Sequence, residues 1–332
     1  DVLQSSSPLV PVLQPHAPRL LGLVGGLTLH PVAQLLLTAA QTARPAHYAH
    51  AVAAMALNGA LMAADGGDDA AVRLALMSGL LHDVGEMYID PLHGEAEADR
   101  DLDFASYQQL VVHPHVGYLL VAQLTNYPAE VARAIAEHHE RLDQSGYPNA
   151  LGGGKMSPQG RLLAVTEATL NALRSPYSHL LHASVALRAV PGEFDLHWVG
   201  KITQAAGAQP PQSAVLQASE IEQRLAALGG VLAGAEQRVL ALAQLAQLPA
   251  MQTALALAQF LLGRLRMGWN ESGLWNPAAL LSADAAEVEA LEDELYFRLR
   301  GVQRATLLRA GQLPEPEAGQ LLALCDSLAM GA

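Results

Sequence analysis

Histidine and carboxylate residues recur in the middle of the sequence at positions where they could hold metal ions. The pair His82-Asp83 follows an apolar run that ends at Leu81, and it places an imidazole nitrogen beside a carboxylate. Because a carboxylate has two oxygens, Asp83 could bridge two divalent cations about 3.5–4 Å apart, the separation that two-metal hydrolases use. Taken alone, the pair could equally be a helix-capping aspartate beside a half-buried histidine.

Further histidines favour the metal interpretation. His50 lies on the preceding predicted helix, His113 stands before Pro114, and His138 and His139 end a later predicted helix. In a chain with 13 histidines, packing alone does not readily explain this recurrence at predicted helix ends. Neighbouring imidazoles diverge by about 100° on a regular helix, but at a helix end two of them can reach two metals. Imidazole suits Fe, Mn, Zn and Ni, whereas Mg and Ca prefer oxygen ligands.

Composition indicates a mostly α-helical protein with a substantial core. The chain has 332 residues, of which 51% are hydrophobic and 5% aromatic, and Ala and Leu dominate. Its formal net charge of −13 argues against a polymeric nucleic-acid partner, because such proteins present basic surfaces. A small anionic ligand is still compatible, since bound divalent metals supply local positive charge.

Cysteine content and hydropathy predict a cytoplasmic protein with no membrane span. Cys325 is the only cysteine, so no internal disulfide can form. No apolar run reaches the roughly 18–20 uninterrupted residues of a membrane helix. Because the chain begins at Asp1 rather than Met, we expect further sequence upstream.

Apolar periodicity and chain breakers predict two helical regions. Residues 1–30, with Ser5-Ser6-Ser7 and four prolines, are expected to form an irregular arm, and the glycine-rich segment 143–156 a loop. Helices are expected over about 31–43, 46–64, 69–82, 103–112, 115–125, 128–140, 158–173 and 179–189. After Pro210-Pro211, further helices are expected over about 213–228, 233–266, 283–300 and 315–328. This last region is interpreted as a bundle for packing or partner contact, with a distant repeat or coiled-coil assembly as the alternative.

The ordered histidine motifs resemble the HD-GYP family, a branch of the HD superfamily. The resemblance spans about residues 45–190. It follows the order His50, His82-Asp83, His113-Pro114-x-x-Gly117, and His138-His139-Glu140-Arg141-x-Asp143-x-x-Gly146-Tyr147-Pro148. It implies an all-α helical bundle around a metal centre that hydrolyses cyclic di-GMP. We therefore expect an N-terminal arm and leading helix at 1–44, an HD-GYP-like domain at 45–200 and a C-terminal helical region at 201–332.

The resemblance also implies a set of metal ligands and a metal count. The implied ligands are His50, His82, Asp83, His113, His138, His139 and Glu167. Glu167 stands where the family has an aspartate, and Ala46 stands where members with three metals have a glutamate. Two divalent ions are therefore expected, Fe or Mn first, with Zn, Ni or Mg as alternatives. Catalytic roles are implied for Asp83 and for Glu86.

The expected substrate side departs from the family pattern. Glu86 replaces a lysine expected near the substrate phosphate, and Gln144 replaces a glycine. Substrate contacts are implied for Arg141, Tyr147 and Arg174, with a carboxylate partner as the alternative for Arg141 and loop packing as the alternative for Tyr147.

Three functional hypotheses follow from the sequence. The first is a metal-dependent phosphodiesterase that hydrolyses cyclic di-GMP or a related cyclic nucleotide in bacterial signalling. The second is a degenerate module that binds metal or nucleotide without turnover and acts through protein–protein interaction. The third is a phosphohydrolase for another small phosphate ester. A homodimer contact or a regulatory protein partner is expected at the C-terminal helices.

Overall fold

The computed structural model describes residues 7–89, 104–173, 179–276, 284–311 and 313–328. The described parts consist of helices and connecting loops, with an isolated bridge between Asp143 and Gly152 and no β-strand. The all-α prediction is confirmed.

The described part of the N-terminal segment is largely helical, so the expectation of an irregular arm is wrong for residues 7–30. Helices α1 (Val10–Leu13) and α2 (Ala17–Gly25) flank a 3-10 turn at Gln14–His16. Three of the four prolines that suggested an arm, Pro11, Pro15 and Pro18, lie in the first turns of these elements, where a missing N–H breaks no intrahelical hydrogen bond. Leu9, Val12, Leu13, Leu20 and Leu23 are buried in the core, whereas Leu21 is exposed.

The predicted metal ligands lie on a group of packed helices. These are α3 (Pro31–Ala43), α4 (Pro45–Ala64), α5 (Asp69–Leu81), α6 (Phe104–Leu124), α7 (Ala129–Glu137), α8 (Pro158–Ala172), α9 (Leu180–Ala186) and α10 (Leu196–Gly207). Helix α4 packs along α5, and α8 contacts α4, α5 and α7. The loop predicted over 143–156 is confirmed, because no helix lies between α7 and α8.

Two predicted features of this region are wrong. A helix break was expected at His113-Pro114, but α6 continues through Pro114. Helix α10 was not expected at all; it begins after Asp195, whose carboxylate accepts a hydrogen bond from the backbone N–H of His197 at 3.1 Å. Pro114 marks a local change of hydrogen bonding rather than the end of a helix.

The C-terminal region has its own apolar core. Its helices are α11 (Ala218–Leu245), α12 (Pro249–Ser272), α13 (Ala285–Ala310) and α14 (Glu315–Leu328). The expected interruption near residues 229–232 is wrong, since α11 is continuous there. The helix ends at Leu245 instead, and the next helix begins at Pro249. Proline favours the first turn of a helix, and Pro249 begins α12.

Contacts divide the chain into two compact units. Of the described residues, one unit contains 7–89, 109–173, 179–188 and 192–211, and the other contains 104–108, 189–191, 212–276, 284–311 and 313–328. The expected domain boundaries after residues 44 and 200 stay predictions. Among the described residues, α11 alone is long and apolar enough to cross a membrane by length and composition, with a mean hydropathy of 1.3. This is weak evidence, because one face of α11 packs into the core of its own unit.

Candidate metal centre

One half of the candidate metal centre lies where α4, α8 and the end of α5 meet. His50 projects from α4, His82 caps α5, and Glu167 is buried on α8. Glu167 Oε2 lies 2.8 Å from His50 Nε2 and 3.1 Å from His82 Nε2. Asp83 Oδ2 lies 3.0 Å from His82 Nε2 and 3.5 Å from His50 Nε2. The four side chains can offer one ligand atom each to a single ion.

A second group of donors surrounds the other oxygen of Asp83. Asp83 Oδ1 lies 3.3 Å from His138 Nε2 and 3.5 Å from His113 Nε2. His139 completes this group, with its ring centroid 4.1 Å from that of His138 and 5.0 Å from that of His113. The two groups therefore share Asp83, as the bridging geometry expected from the sequence requires.

Three of the imidazoles are oriented by the same hydrogen bond to the backbone. The Nδ1 atoms of His82, His113 and His138 each donate to the carbonyl three residues earlier, at 2.8, 2.6 and 2.6 Å. A carbonyl oxygen only accepts, so each Nδ1 carries a hydrogen and Nε2 is left to face the centre. Hydrogen bonds of this kind set the tautomer and ring orientation of metal-binding histidines.

The accepting carbonyls are ones that lack a helical partner. Gly79 is among the last four residues of α5 and Ile135 among the last four of α7, and such carbonyls receive no N–H from within the helix. In α6 the same situation arises internally: Pro114 has no N–H to give to Leu110 four residues earlier. Each histidine thus uses an acceptor that the helix leaves open.

Two glycines allow the turn after Asp83 to lie directly against α6. A Cβ atom on Gly85 would overlap the backbone carbonyl of His113 and lie 2.7 Å from the backbone nitrogen of Gly117. A Cβ atom on Gly117 would lie 2.9 Å from the side-chain Cγ2 of Ile135 and in ordinary contact, at 3.5 Å, with the backbone nitrogen of Gly85. The backbone contact holds His113 near Asp83 and explains why glycine is needed at position 85.

The carboxylates and imidazoles of the centre shift one another's pKa values. Burial tends to lower the pKa of His82, but Asp83 and Glu167 outweigh it and raise that pKa well above its usual value. Burial tends to raise the pKa values of Asp83 and Glu167, but the facing imidazoles hold both well below their usual values. In the other half, burial and the neighbouring His139 lower the pKa of His138 to about 3, so its ring is neutral.

The donor set suits divalent metal ions. His138 Nε2 lies 3.1 Å from His113 Nε2, and the neutral ring of His138, with its hydrogen on Nδ1, directs the lone pair of Nε2 toward the centre. Among the described residues, no hydrogen bond reaches the buried Asp83 Oδ1. A cation among these atoms would satisfy all of them, and the mixture of nitrogen and oxygen donors suits Fe or Mn, while Zn and Ni also accept imidazole.

The loop after α7 supports His139. Tyr147 stacks on the His139 ring with centroids 4.6 Å apart and planes 15° apart, and its backbone N–H donates to the His139 carbonyl at 3.1 Å. Buried Glu140 accepts hydrogen bonds from the backbone N–H groups of Asn149 and Leu151, both at 2.7 Å. Gln144, where the resemblance has a glycine, adopts a φ of 72°. Gln144 therefore occupies a left-handed backbone conformation that residues other than glycine rarely adopt.

The residues expected at the substrate side have different environments. The guanidinium of Arg141 lies over the Phe194 ring, 4.7 Å from its centroid. Its Nε lies 3.6 Å from a carboxylate oxygen of Glu193, and a carboxylate partner was the alternative to substrate contact expected for Arg141. Tyr147 contacts His139, as described above. Arg174 lies outside the described residues. Their expected roles in substrate binding stay predictions.

Glu86 points into the protein, where it meets a histidine that was not among the expected ligands. Its side chain is buried, and Oε2 lies 3.1 Å from Nδ1 of His47. His47 and Glu86 form a third group of potential ligands with Asp83. The sequence feature that could have indicated His47 is its position three residues before His50, on the same face of the helix.

The region that contains this centre is similar to a known domain family and to two known proteins. Residues 34–194 match the HD domain family model. A cyclic di-GMP phosphodiesterase of Pseudomonas aeruginosa is 32% identical over 187 residues, which cover 54% of this chain and 44% of that protein. The cyclic di-GMP phosphodiesterase response regulator RpfG of Xanthomonas campestris pv. campestris is 33% identical over 121 residues, 35% of this chain and 31% of that protein.

The chain spans less than half the length of these two relatives. No solved structure matches it.

Proposed function

We propose that residues 34–194, which match the HD domain family model, form a metal-dependent phosphodiesterase that hydrolyses cyclic di-GMP or a related cyclic nucleotide. The two similar phosphodiesterases support this substrate class. The proposal extends the coarser assignment to an HD-type metal-dependent phosphohydrolase.

The observation that carries the proposal is the shared position of Asp83 between two groups of ligands. The proposed ligands are His50, His82, Asp83 and Glu167 on one side, and Asp83, His113, His138 and His139 on the other. A pair of divalent ions held there would supply Lewis acidity and an activated water for attack on a phosphodiester. Asp83 would fix the spacing of the pair, while the backbone-bound histidines keep Nε2 directed inward.

Metal analysis and turnover test this proposal together. Purified protein is loaded with Mn²⁺ or Fe²⁺ without oxygen, and cyclic di-GMP cleavage is measured for the wild type, Asp83→Asn and Asp326→Asn. Asp326 is an exposed acid on α14, so its variant is a matched control that should bind metal and turn over as the wild type does. We expect Asp83→Asn to lose metal and activity. Equal activity in Asp83→Asn would refute the proposal.

One observation favours a second function, binding without turnover. Glu86 places a buried carboxylate where the resemblance has a lysine near the substrate phosphate. Such an exchange weakens phosphate binding and could reduce the rate by about a hundredfold or more. In that case the metal-loaded chain would bind cyclic di-GMP, measured calorimetrically, yet release no product. Glu86→Lys should then raise the cleavage rate if the missing cation is the limiting factor.

The remaining hypotheses are also open to direct measurement. Hydrolysis of simple phosphate esters but not of cyclic di-GMP would favour a phosphohydrolase with another small substrate. A cytoplasmic location, and a homodimer or regulatory partner contact through α11–α14, stay predictions; light scattering of the purified chain tests the dimer.

A further inference from the structure

His47 and Glu86 face each other in the same way as the proposed ligands His50 and Asp83. His47 lies one turn before His50, and Glu86 lies one turn after Asp83. His47 precedes His50 by three residues on α4, and Glu86 follows Asp83 by three residues in the 3-10 turn Val84–Tyr88. Residues three apart lie on the same face in both kinds of helix. Contact between His50 and Asp83 therefore brings His47 next to Glu86, with His47 Nδ1 3.1 Å from Glu86 Oε2.

The pair lies inside the protein and beside the metal centre. His47 is 5% exposed and Glu86 is 1% exposed, and ligand atoms of His47, Glu86 and Asp83 all lie within 4.8 Å of one another. Atoms bound to one ion at about 2.1 Å are at most about 4.2 Å apart. A small movement of the side chains would therefore bring all three donors to one cation.

The backbone holds Glu86 in this position. The guanidinium of Arg44, the residue before α4, donates to the backbone carbonyls of Glu86 and Ile89. These bonds tie the 3-10 turn to the start of α4, a few residues before His47. The placement of the Glu86 carboxylate next to His47 thus follows from fixed backbone contacts as well as from the pair's own hydrogen bond.

We propose that His47, Glu86 and Asp83 form a third cation site, which takes a Mn²⁺-like divalent ion beside the two-metal centre. Two carboxylates and one imidazole suit such an ion, and three protein ligands leave positions for water or a phosphate oxygen. The site rests on the proposed function and deepens it. A cation held by Glu86 would restore positive charge on the side where the resemblance has a lysine.

Counting bound Mn²⁺ tests the site independently of activity. The full chain is titrated with Mn²⁺, and free ion is followed by its electron paramagnetic resonance signal. The variants are Glu86→Gln and His47→Gln, with Glu130→Gln as a matched control for an exposed glutamate on α7. We expect the wild type and Glu130→Gln to bind three equivalents, and the two site variants to bind two.

The outcomes separate this inference from the proposed function. Two equivalents in the wild type, or three in both site variants, would overturn the third site and leave the two-metal centre intact. No bound Mn²⁺ in the wild type would remove both. Three equivalents without cyclic di-GMP cleavage would keep the site and refute the enzyme. Circular dichroism checks folding, and His47→Gln decides the matter if Glu86→Gln does not fold.

Discussion

Tyr147 lies flat against His139, with ring centroids 4.6 Å apart and an angle of 15° between the planes. His139 belongs to the group of donors around Asp83 Oδ1, so the tyrosine ring restrains a proposed ligand. This relationship gives the Gly146-Tyr147-Pro148 loop a supporting role at the metal centre that does not depend on substrate.

Replacement of Tyr147 distinguishes stacking from hydroxyl chemistry. We expect Tyr147→Leu to weaken metal binding by about 10–100-fold, because partners that orient a ligand contribute that much to affinity. Tyr147→Phe retains the ring and should bind metal as the wild type does. Competition with a chelator measures both affinities. If Tyr147→Phe loses as much affinity as Tyr147→Leu, the hydroxyl rather than the stacked ring is responsible.

Glu167 reaches its partners because of its length. Its Oε2 lies within 3.1 Å of both His50 Nε2 and His82 Nε2. Although the resemblance has an aspartate here, Glu167→Asp would withdraw the carboxylate by about one C–C bond, roughly 1.5 Å. We expect metal affinity to fall by more than about tenfold, comparable to the loss of a ligand's support. Glu130→Asp serves as the surface control, and unchanged affinity in Glu167→Asp would contradict the ligand role.

Metal binding should strengthen as pH rises. Asp83 and Glu167 overcome burial and raise the pKa of His82 well above 6.5, so the metal-free protein holds a proton there at neutral pH. The ion must displace this proton, and affinity therefore rises about tenfold per pH unit below the raised pKa and levels off above it. Calorimetry in buffers with different ionisation enthalpies measures the proton released. Affinity independent of pH between 6 and 8 would contradict this assignment.

Gly85 should tolerate no side chain. A Cβ atom there would overlap the backbone carbonyl of His113. This carbonyl belongs to the backbone of α6, so it cannot rotate away as a side chain could. We expect Gly85→Ala to lower the free energy of unfolding by about 3 kcal/mol, at the upper end for overpacked positions. Urea denaturation measures the change.

Gly200→Ala is the matched control for this prediction. No atom lies within 4 Å of a Cβ built at Gly200 on α10, so alanine should stabilise that helix by about 0.5–1 kcal/mol. A similar effect of both variants would mean that the contact between Gly85 and His113 does not restrict side-chain size.

The sequence predicted the parts of the centre that depend on local pattern. It predicted that His82 and His138 follow the ends of helices, and they follow the ends of α5 and α7. Such positions are recognisable in the sequence from the apolar run that precedes them. Glu167 required the family resemblance, since nothing in its own helix distinguishes it from other buried positions. The contact between His47 and Glu86 depends on how α4 meets the turn after Asp83, which no local pattern records.

The errors in the fold have local physical causes. A proline was expected to end a helix at His113, but α6 tolerates the lost hydrogen bond because the histidine side chain supplies a donor to Leu110. In the second unit, a break was expected at residues 229–232, where the sequence is Gly229-Gly230-Val231-Leu232. The two glycines cost too little to break a helix that buries Leu228 and Leu232.

The hydrogen bonds from His82 and His138 to the ends of their own helices couple fraying of those helix ends to the release of metal. If the last turn of α5 or α7 frays, the acceptor at Gly79 or Ile135 moves, and the imidazole loses its direction toward the ion. Fraying of a helix end and release of metal therefore become a single event. Amide hydrogen exchange in these last turns should slow when the centre is loaded, so the backbone itself reports occupancy.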